Sequence, residues 1–204
     1  YFDKLAKGDD MGEDFLIKRF EEAINRQPLS EEDYLESLAK GKKILSGWFN
    51  NYSNSFKKNI INEYKIDGID IAGTSIKGKL DKIEITDDTL INVVDYKTGT
   101  PKTRGHIEGT TAASNGEYKR QLIFYNLLLN KSGKFKMQSG EIDFIEPDNK
   151  GKWHKELFVI QPEEVEELEE LIEKTASEIM DLSFWSRFCD DKSCRYCDLR
   201  KMLV

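Results

Sequence analysis

The sequence contains Gly78-Lys-Leu-Asp-Lys-Ile83 and, a short distance later, Val93-Val-Asp-Tyr-Lys-Thr-Gly99. Both stretches have the residue pattern of β-strands, and each carries one acid, Asp81 in the first and Asp95 in the second. Side chains alternate between the two faces of a strand, so Asp95 and Lys97 are predicted to point the same way. Charged groups beside a core are costly unless they pair with each other or bind a metal ion. The two stretches therefore predict a charged site at the edge of a β-sheet.

The alternation of apolar and polar residues extends on both sides of these stretches. Residues 60–97 alternate between turn signals, which predicts an antiparallel meander with the acids on its later strands. Two further strands are predicted at Glu141–Ile145 and Trp153–Ile160.

Helical periodicity precedes and follows the predicted strands. Residues 12–26 and Ser30–Asn50 each carry an apolar stripe, which predicts two packing helices, the second with Ser30 as its N-cap. Residues 117–131 are apolar nearly all round, so we expect this helix between the sheet and another layer. Pro162 is predicted to begin a long amphipathic helix. A polar, locally basic loop is predicted over residues 98–116.

Length and element order together predict one α/β domain with a central mixed β-sheet flanked by helices. The chain has 204 residues, enough for a substantial core. We divide it into a helical layer (1–55), a core with the acids (56–160), and a C-terminal helix with a cysteine-containing tail (161–204). Because it opens at Tyr1 in helical sequence, we interpret it as a piece of a longer protein.

Composition narrows the classes of function. With 38% hydrophobic and 34% charged residues, the chain has the composition of a soluble globular protein. No apolar run approaches the roughly 18 residues of a membrane span, so we expect no membrane partner and a cytoplasmic location. The net charge of −7 argues against a general coating of nucleic acid but permits a local basic groove.

The acids and the lysine suit metal chemistry. Carboxylates from Asp81 and Asp95, with the backbone carbonyl of Tyr96, would form part of the oxygen shell that Mg²⁺ prefers. A lysine beside such an ion can orient or deprotonate a water molecule and stabilise charge on a phosphoryl group. The alternative from these residues alone is a surface ion pair of Asp95 with Lys97 or Lys82, with Asp81 in a turn.

Together with Gln121-x-x-x-Tyr125, the two opening stretches resemble the PD-(D/E)XK nuclease superfamily. Within it, they are most similar to the RecB-like C-terminal nuclease domains of UvrD/RecB-type (superfamily 1) DNA helicases. The resemblance covers roughly residues 55 to 130 by motif and the whole chain by element order. It implies a restriction-endonuclease-like αβββαβ core with extra helices at both ends.

The resemblance also implies roles for individual residues. Asp81 and Asp95 are implied to bind Mg²⁺ or Mn²⁺, and Lys97 to be the catalytic lysine. Gln121 and Tyr125, one helical turn apart, are implied to support the site and contact DNA. Their alternative is a buried amide and phenol that satisfy each other.

The implied activity is metal-dependent hydrolysis of DNA, acting on single strands that a helicase motor in the same polypeptide delivers during repair or recombination. A catalytically inactive nuclease-like domain that binds DNA or supports the helicase is the alternative. This alternative is based on the position of the first histidine. Relatives usually carry a metal-binding histidine on the first core helix, whereas the first histidine in this sequence is His106. Residues 1–3 resemble the tail of that helix, so we expect the histidine upstream.

Further residues carry weaker signals. Lys119 and Arg120, with the basic loop that holds Lys102, Arg104 and His106, are candidates for phosphate contacts, and a solvated loop is the alternative. Glu63 is a candidate auxiliary acid, while His106 and His154 are expected to be unrelated to the metal.

The last informative pattern in the sequence is a group of three cysteines, Cys189, Cys194 and Cys197. Some relatives hold an iron–sulfur cluster with a C-terminal cysteine trio and one upstream cysteine, but the spacing differs here and the chain has no fourth cysteine. A zinc site completed elsewhere and three reduced thiols remain open as alternatives.

Overall fold

The computed structural model of the chain describes residues 1–9, 11–190 and 193–202. Residues 10, 191–192 and 203–204, which belong to the predicted N-terminal layer and C-terminal tail, lie outside the described residues. Among the described residues, no helix is both long enough and apolar enough to cross a membrane.

A five-stranded mixed sheet forms the centre of the fold, with its strands in sequence order. The first three strands form the predicted antiparallel meander, the third pairs in parallel with the fourth, and the fourth is antiparallel to the fifth. This confirms the predicted fold class. The strands are β1 (Ile60–Ile71), β2 (Thr74–Asp87), β3 (Leu90–Lys97), β4 (Lys136–Phe144) and β5 (Lys155–Phe158).

Helices precede the sheet, cross over it and follow it. The predicted helices are present, and Ser30 caps the third by accepting a hydrogen bond from the backbone N–H of Asp33 (3.1 Å). The helices are α1 (Phe2–Leu5), α2 (Gly12–Ile24), α3 (Glu31–Tyr52), α4 (Arg104–Glu108), α5 (Glu117–Ser132), α6 (Pro162–Met180) and α7 (Arg195–Lys201), with single 3₁₀ turns at Ser53–Ser55 and Ser183–Ser186.

The largest differences from the sequence prediction concern two segments, and β5 is also two residues shorter at each end than the predicted Trp153–Ile160. The segment 98–116 is not entirely loop, because Thr103 caps the short helix α4 by accepting from His106 N (3.3 Å) and Gly109 ends it with φ 78°. Five residues are too few to show a hydrophobic period. Strand β4 begins at Lys136 rather than Glu141, because its early residues pair with β3.

The two faces of the sheet carry different layers. On one face, α5 packs through aliphatic residues such as Leu122 and Leu128 against Ile83 and Val93, all fully buried. On the other face an aromatic layer joins α1 and α3 to the sheet; it comprises Tyr1, Phe2, Trp48, Phe49, Phe56 and Tyr96. Tyr96 thus lies on the face opposite Asp95, as strand alternation predicts.

A buried ion-pair network ties α3 to β4 and β5 beneath the aromatic layer. Asp143 is fully buried, and its Oδ1 accepts from Trp48 Nε1 (3.0 Å) while Lys155 Nζ lies 2.7 Å from Oδ2. Lys155 also reaches Glu141 Oε1 (3.2 Å). Burial alone would lower the pKa of Lys155, but the two carboxylates outweigh it and raise this pKa. The network therefore holds a charged lysine between two acids.

Strand β2 changes its inward-facing side at Asp81. Leu80 and Ile83 are both fully buried, although residues three apart on a regular strand point to opposite faces. Between them lies Asp81, and the flanking pairs Tyr64–Leu80 and Asn62–Lys82 place Glu63 across from it. Glu63 adopts φ 53°, a conformation uncommon for a non-glycine residue. This local rotation of the hairpin sets the direction of the Asp81 side chain.

Replacing Lys155 with Met should destabilise the fold. Methionine has a side chain of similar length, but it leaves Asp143 and Glu141 without their cation. We therefore expect a loss of about 3 kcal/mol in the free energy of unfolding, near the lower end for a broken buried pair. Urea denaturation measures it. Lys152→Met, at an exposed lysine nearby, is the control. Equal stability of the two variants would contradict this account.

Candidate active site

The site forms where β2 and β3 separate. Pairing between the two strands ends at Lys82 and Val94. One residue further along β2, the Asp81 carboxylate takes over the role of a strand partner, because Asp81 Oδ2 accepts from the backbone N–H of Tyr96 (3.1 Å). A side chain rather than a backbone thus closes this end of the β2–β3 ladder, and we call the place beyond it, where the two strands are unpaired, the cleft.

Four side chains beside this cleft form a closed ring of contacts, which we call the four-residue ring. Lys97 Nζ lies 2.7 Å from Asp95 Oδ2 and also donates to Gln121 Oε1. Gln121 Nε2 donates to the hydroxyl oxygen of Tyr125 (2.7 Å), and this hydroxyl donates to Asp95 Oδ1 (3.1 Å). Each donor group of the four-residue ring meets at least one acceptor, so strand β3 and helix α5 are joined through polar contacts.

Burial and charge shift the pKa of Asp95 and of Tyr125, two members of the four-residue ring. Only 1% of Asp95 is exposed. Burial raises the pKa of its carboxyl, the Lys97 ammonium opposes this, and the nearby Asp81 carboxylate raises the pKa further. Burial, followed by the charge of Asp95, also raises the pKa of Tyr125 far above neutrality. Tyr125 therefore keeps its proton and acts as a donor to Asp95.

The oxygen atoms at the cleft suit a hard divalent cation. The charge of Asp81 raises the pKa of the Asp95 carboxyl, a repulsion that a bound cation would relieve. Lys97 O accepts from Ile145 N (3.0 Å) on the β4 side. Backbone groups of successive strand residues point to opposite sides, and the N–H of Tyr96 faces Asp81. The Tyr96 carbonyl thus faces the cleft as well, so two carboxylates and one carbonyl fit Mg²⁺ or Mn²⁺.

The alternatives left open by the sequence can now be compared with the geometry. An Asp95–Lys97 ion pair exists, but Asp81 lies within β2 and not in a turn. Lys82 is on the opposite face, where it pairs with Glu84 (2.8 Å) and lies 4.5 Å from the centre of the Phe2 ring. The structure therefore separates Lys82 from the acids.

The predicted phosphate contacts on α5 are not brought to the acids. Lys119 forms an ion pair with Glu164 on α6, and Arg120 donates to the backbone carbonyl of Asn115 (2.8 Å). Arg104 in the basic segment is likewise held, by Glu108 and Glu156 (both 3.1 Å). These cations are partly neutralised within the protein, and their contact with DNA stays a prediction.

The remaining candidates have partners of their own. Glu63 pairs with Lys79 on the hairpin, and His154 Nε2 lies 2.8 Å from Asp148 Oδ2 in the β4–β5 connection. His106 belongs to α4.

The cysteine trio converges in space. The sulfur atoms of Cys189, Cys194 and Cys197 all lie within 4.8 Å of one another, and those of Cys189 and Cys197 are 3.3 Å apart. Cys194 occupies the N-cap position of the short helix α7, and Cys197 lies in the first turn of this helix. The spacing of the cysteines in the sequence did not establish this convergence.

Two contacts of the site were missed by the sequence reasoning. The ring of Tyr118 lies with its centre 4.9 Å from Lys97 Nζ. Its position three residues before Gln121 on α5 was the available signal. Glu146 accepts from the backbone N–H of Gly99 (3.1 Å) and so fixes the turn that follows Lys97.

Comparison with known proteins identifies the family of this chain. A family profile of the PD-(D/E)XK nuclease superfamily matches residues 2–202, and the chain belongs to this superfamily. No match was found among curated proteins. Members of the superfamily typically use divalent metal ions.

Two solved structures align with this chain at low sequence identity. A crystal structure from Eubacterium rectale, described as that of a candidate exonuclease, aligns over 94% of this chain and 75% of its own, with 11% identity and a TM-score of 0.52. The structure of a protein called SSO0001 aligns over 94% of each chain with 16% identity and a TM-score of 0.41. At such identities the first likeness concerns the fold alone.

Replacing Tyr125 with Phe should destabilise the fold, because it breaks two hydrogen bonds of the four-residue ring. The change removes one hydroxyl, so that Gln121 loses an acceptor and the buried Asp95 carboxylate loses a donor. We expect a loss of about 1–3 kcal/mol in unfolding free energy, as for hydrogen bonds to buried charged groups. Urea denaturation measures it, with Tyr196→Phe, at a tyrosine that is 83% exposed, as the control. A loss no larger than that of the control would show that these hydrogen bonds of the four-residue ring contribute nothing to stability.

Proposed function

We propose that this chain is a metal-dependent DNA nuclease domain that hydrolyses phosphodiester bonds. The observation that supports it best is the four-residue ring beside Asp81. The ring holds a buried carboxylate and an ammonium group within 3 Å of each other at the open end of the β2–β3 ladder, where the Asp95 Oδ2–Lys97 Nζ distance is 2.7 Å. Membership of the nuclease superfamily supports the same reaction.

In this proposal Asp81, Asp95 and the carbonyl of Tyr96 hold Mg²⁺ or Mn²⁺. When bound, such an ion lowers the pKa of a coordinated water molecule and offsets negative charge on the scissile phosphate. Asp81 is kept in place by the N–H of Tyr96, and Asp95 by the hydroxyl of Tyr125. Each acid is thus held by a hydrogen bond at one oxygen, and Asp95 offers its other oxygen to the ion when Lys97 turns away from it.

Lys97 acts on the attacking water molecule and on the phosphate. Its ammonium group orients the water molecule once it turns from Asp95, the proton that the water loses passes to bulk water, and its charge stabilises the oxygen atoms that become more negative as the bond to phosphorus forms. Gln121 positions Lys97 by accepting a hydrogen bond from it. Through this contact Gln121 supports the reaction without touching the phosphate.

We assign the substrate as single-stranded DNA, delivered by a helicase motor in the same polypeptide during repair or recombination in the cytoplasm. The motif set Asp81, Asp95-x-Lys97 and Gln121-x-x-x-Tyr125, which resembles the RecB-like branch, supports this assignment. Hydrolysis of ATP stimulated by single-stranded DNA, measured on the full-length polypeptide, tests it. A full-length protein without such activity would contradict the helicase attachment.

Asp95→Asn and Lys97→Met should each abolish most of the nuclease activity. The first change weakens the metal site and the second removes the ammonium charge with its N–H donors, so we expect losses of about 10²–10³-fold. Release of nucleotides from labelled single-stranded DNA in Mg²⁺ measures the rate. Lys174→Met on the exposed side of α6 is the control. Full activity of Asp95→Asn would refute the assigned site.

The second candidate function is an inactive nuclease-like domain that binds DNA. The first histidine of this sequence is His106, which lies on α4 and not on the first core helix, and this favours the inactive domain. Binding measured in Ca²⁺ and cleavage measured in Mg²⁺ and Mn²⁺ separate the two candidates. Binding without cleavage in either metal would favour the inactive domain.

The cysteine trio is assigned as a second metal site, for Zn²⁺. Tetrahedral zinc with Zn–S bonds of about 2.3 Å places two sulfur atoms about 3.8 Å apart, so the 3.3 Å separation of the Cys189 and Cys197 sulfur atoms would lengthen only slightly. We expect about one zinc ion per chain after anaerobic purification, and its loss in Cys197→Ser. Metal analysis with an absorption spectrum measures this. Iron with visible absorption would indicate a cluster instead, and metal-free protein would contradict both.

A further inference from the structure

Tyr118 lies on the same face of α5 as Gln121 and Tyr125, the two members of the four-residue ring on this helix. Tyr118, Gln121 and Tyr125 follow the spacing i, i+3, i+7, which aligns side chains along one side of a helix. All three reach the charged pair on β3: Gln121 contacts Lys97, Tyr125 contacts Asp95, and the Tyr118 ring faces Lys97 Nζ at 4.9 Å.

The ring of Tyr118 is itself held in place. It packs against Phe144 of β4, with ring centres 6.2 Å apart, and Phe144 is the register partner of Lys97 across the parallel β3–β4 pair. The aromatic ring therefore neighbours both Lys97 and the Phe144 side chain of the adjacent strand. Its place depends on the same two strands that place the lysine.

The ammonium group of Lys97 has three N–H bonds to distribute. One side of the group faces Asp95 Oδ2, a second faces Gln121 Oε1, and the ring of Tyr118 covers a third. A lysine side chain has four flexible carbon atoms and a compact charge, so it loses its direction easily when a neighbour is removed. An aromatic face attracts a cation and contributes more where water is scarce, and only 17% of the Lys97 side chain is exposed.

We propose that Tyr118 is a positioning residue for Lys97. Its aromatic face fixes the ammonium group at the cleft between Asp81 and Asp95 when Lys97 turns from its carboxylate partner toward the phosphate. This inference rests on the proposed function, because it assumes that Lys97 takes part in hydrolysis. It assigns the effect to the face of the ring, and the hydroxyl group of Tyr118 is not required.

Steady-state kinetics on single-stranded DNA in saturating Mg²⁺ test the role. Tyr118→Leu should lower kcat about tenfold with KM changed less than about twofold, the size expected for a partly desolvated cation–π contact. Tyr118→Phe should restore kcat to within about twofold of the original chain. Tyr196→Leu, at an exposed tyrosine, is the control, and Tyr118→Met replaces the Leu variant if that does not fold.

Two kinetic results would overturn the inference. If Tyr118→Phe loses as much kcat as Tyr118→Leu, the hydroxyl group matters and not the ring face. If Tyr118→Leu raises KM and leaves kcat unchanged, the ring binds DNA, for example by stacking on a base.

Nuclear magnetic resonance supplies a readout that does not depend on cleavage. Protons on the carbon next to Lys97 Nζ should be shifted upfield by the Tyr118 ring, and the shift should persist in Tyr118→Phe and vanish in Tyr118→Leu. The signal is assigned by its absence in Lys97→Met. An unshifted signal in the original chain would overturn the inference. A shifted signal in a chain that cuts no DNA would instead overturn the proposed function, and with it the catalytic purpose of the contact.

Discussion

Asp95 and Lys97 can be buried beside the core because each charge is matched by the other and by two polar groups of α5. A carboxylate that is only 1% exposed would cost several kcal/mol without such partners. The ring through Gln121 and Tyr125 supplies them, and it crosses from strand to helix. The contacts that make the buried charge tolerable therefore also fix the position of α5 over the sheet. Fold and site depend on the same interactions.

The other half of the site depends on where the β2–β3 ladder ends. The Asp81 carboxylate binds the N–H of Tyr96 in place of a strand partner, which leaves the Tyr96 carbonyl facing the cleft. On the opposite face the Tyr96 ring packs in the aromatic layer, nearly parallel to Phe2 and edge-on to Trp48. The backbone between the acid and the lysine is thus held from below by packing and from the side by a hydrogen bond.

Local geometry decides which features were predictable from the sequence. Strand alternation correctly placed Asp95 and Lys97 on one face, and helical spacing correctly joined Gln121 to Tyr125. The turn of β2 at Asp81 was not predictable, because it depends on the φ of 53° at Glu63 across the hairpin. The direction of Lys119 was not predictable either, since its partner Glu164 lies on a distant helix. Contacts between elements distant in sequence carry no periodic signal.

The central claim is that Asp81, Asp95 and the Tyr96 carbonyl form one metal site at the end of the β2–β3 ladder. A crystal of the chain grown with Mn²⁺ tests it most directly, because anomalous scattering locates this ion without reference to activity. We predict one strong peak within coordination distance of both carboxylates and of the Tyr96 carbonyl oxygen. A saturated crystal with no peak between the two acids, or with its peak elsewhere on the chain, would contradict the account.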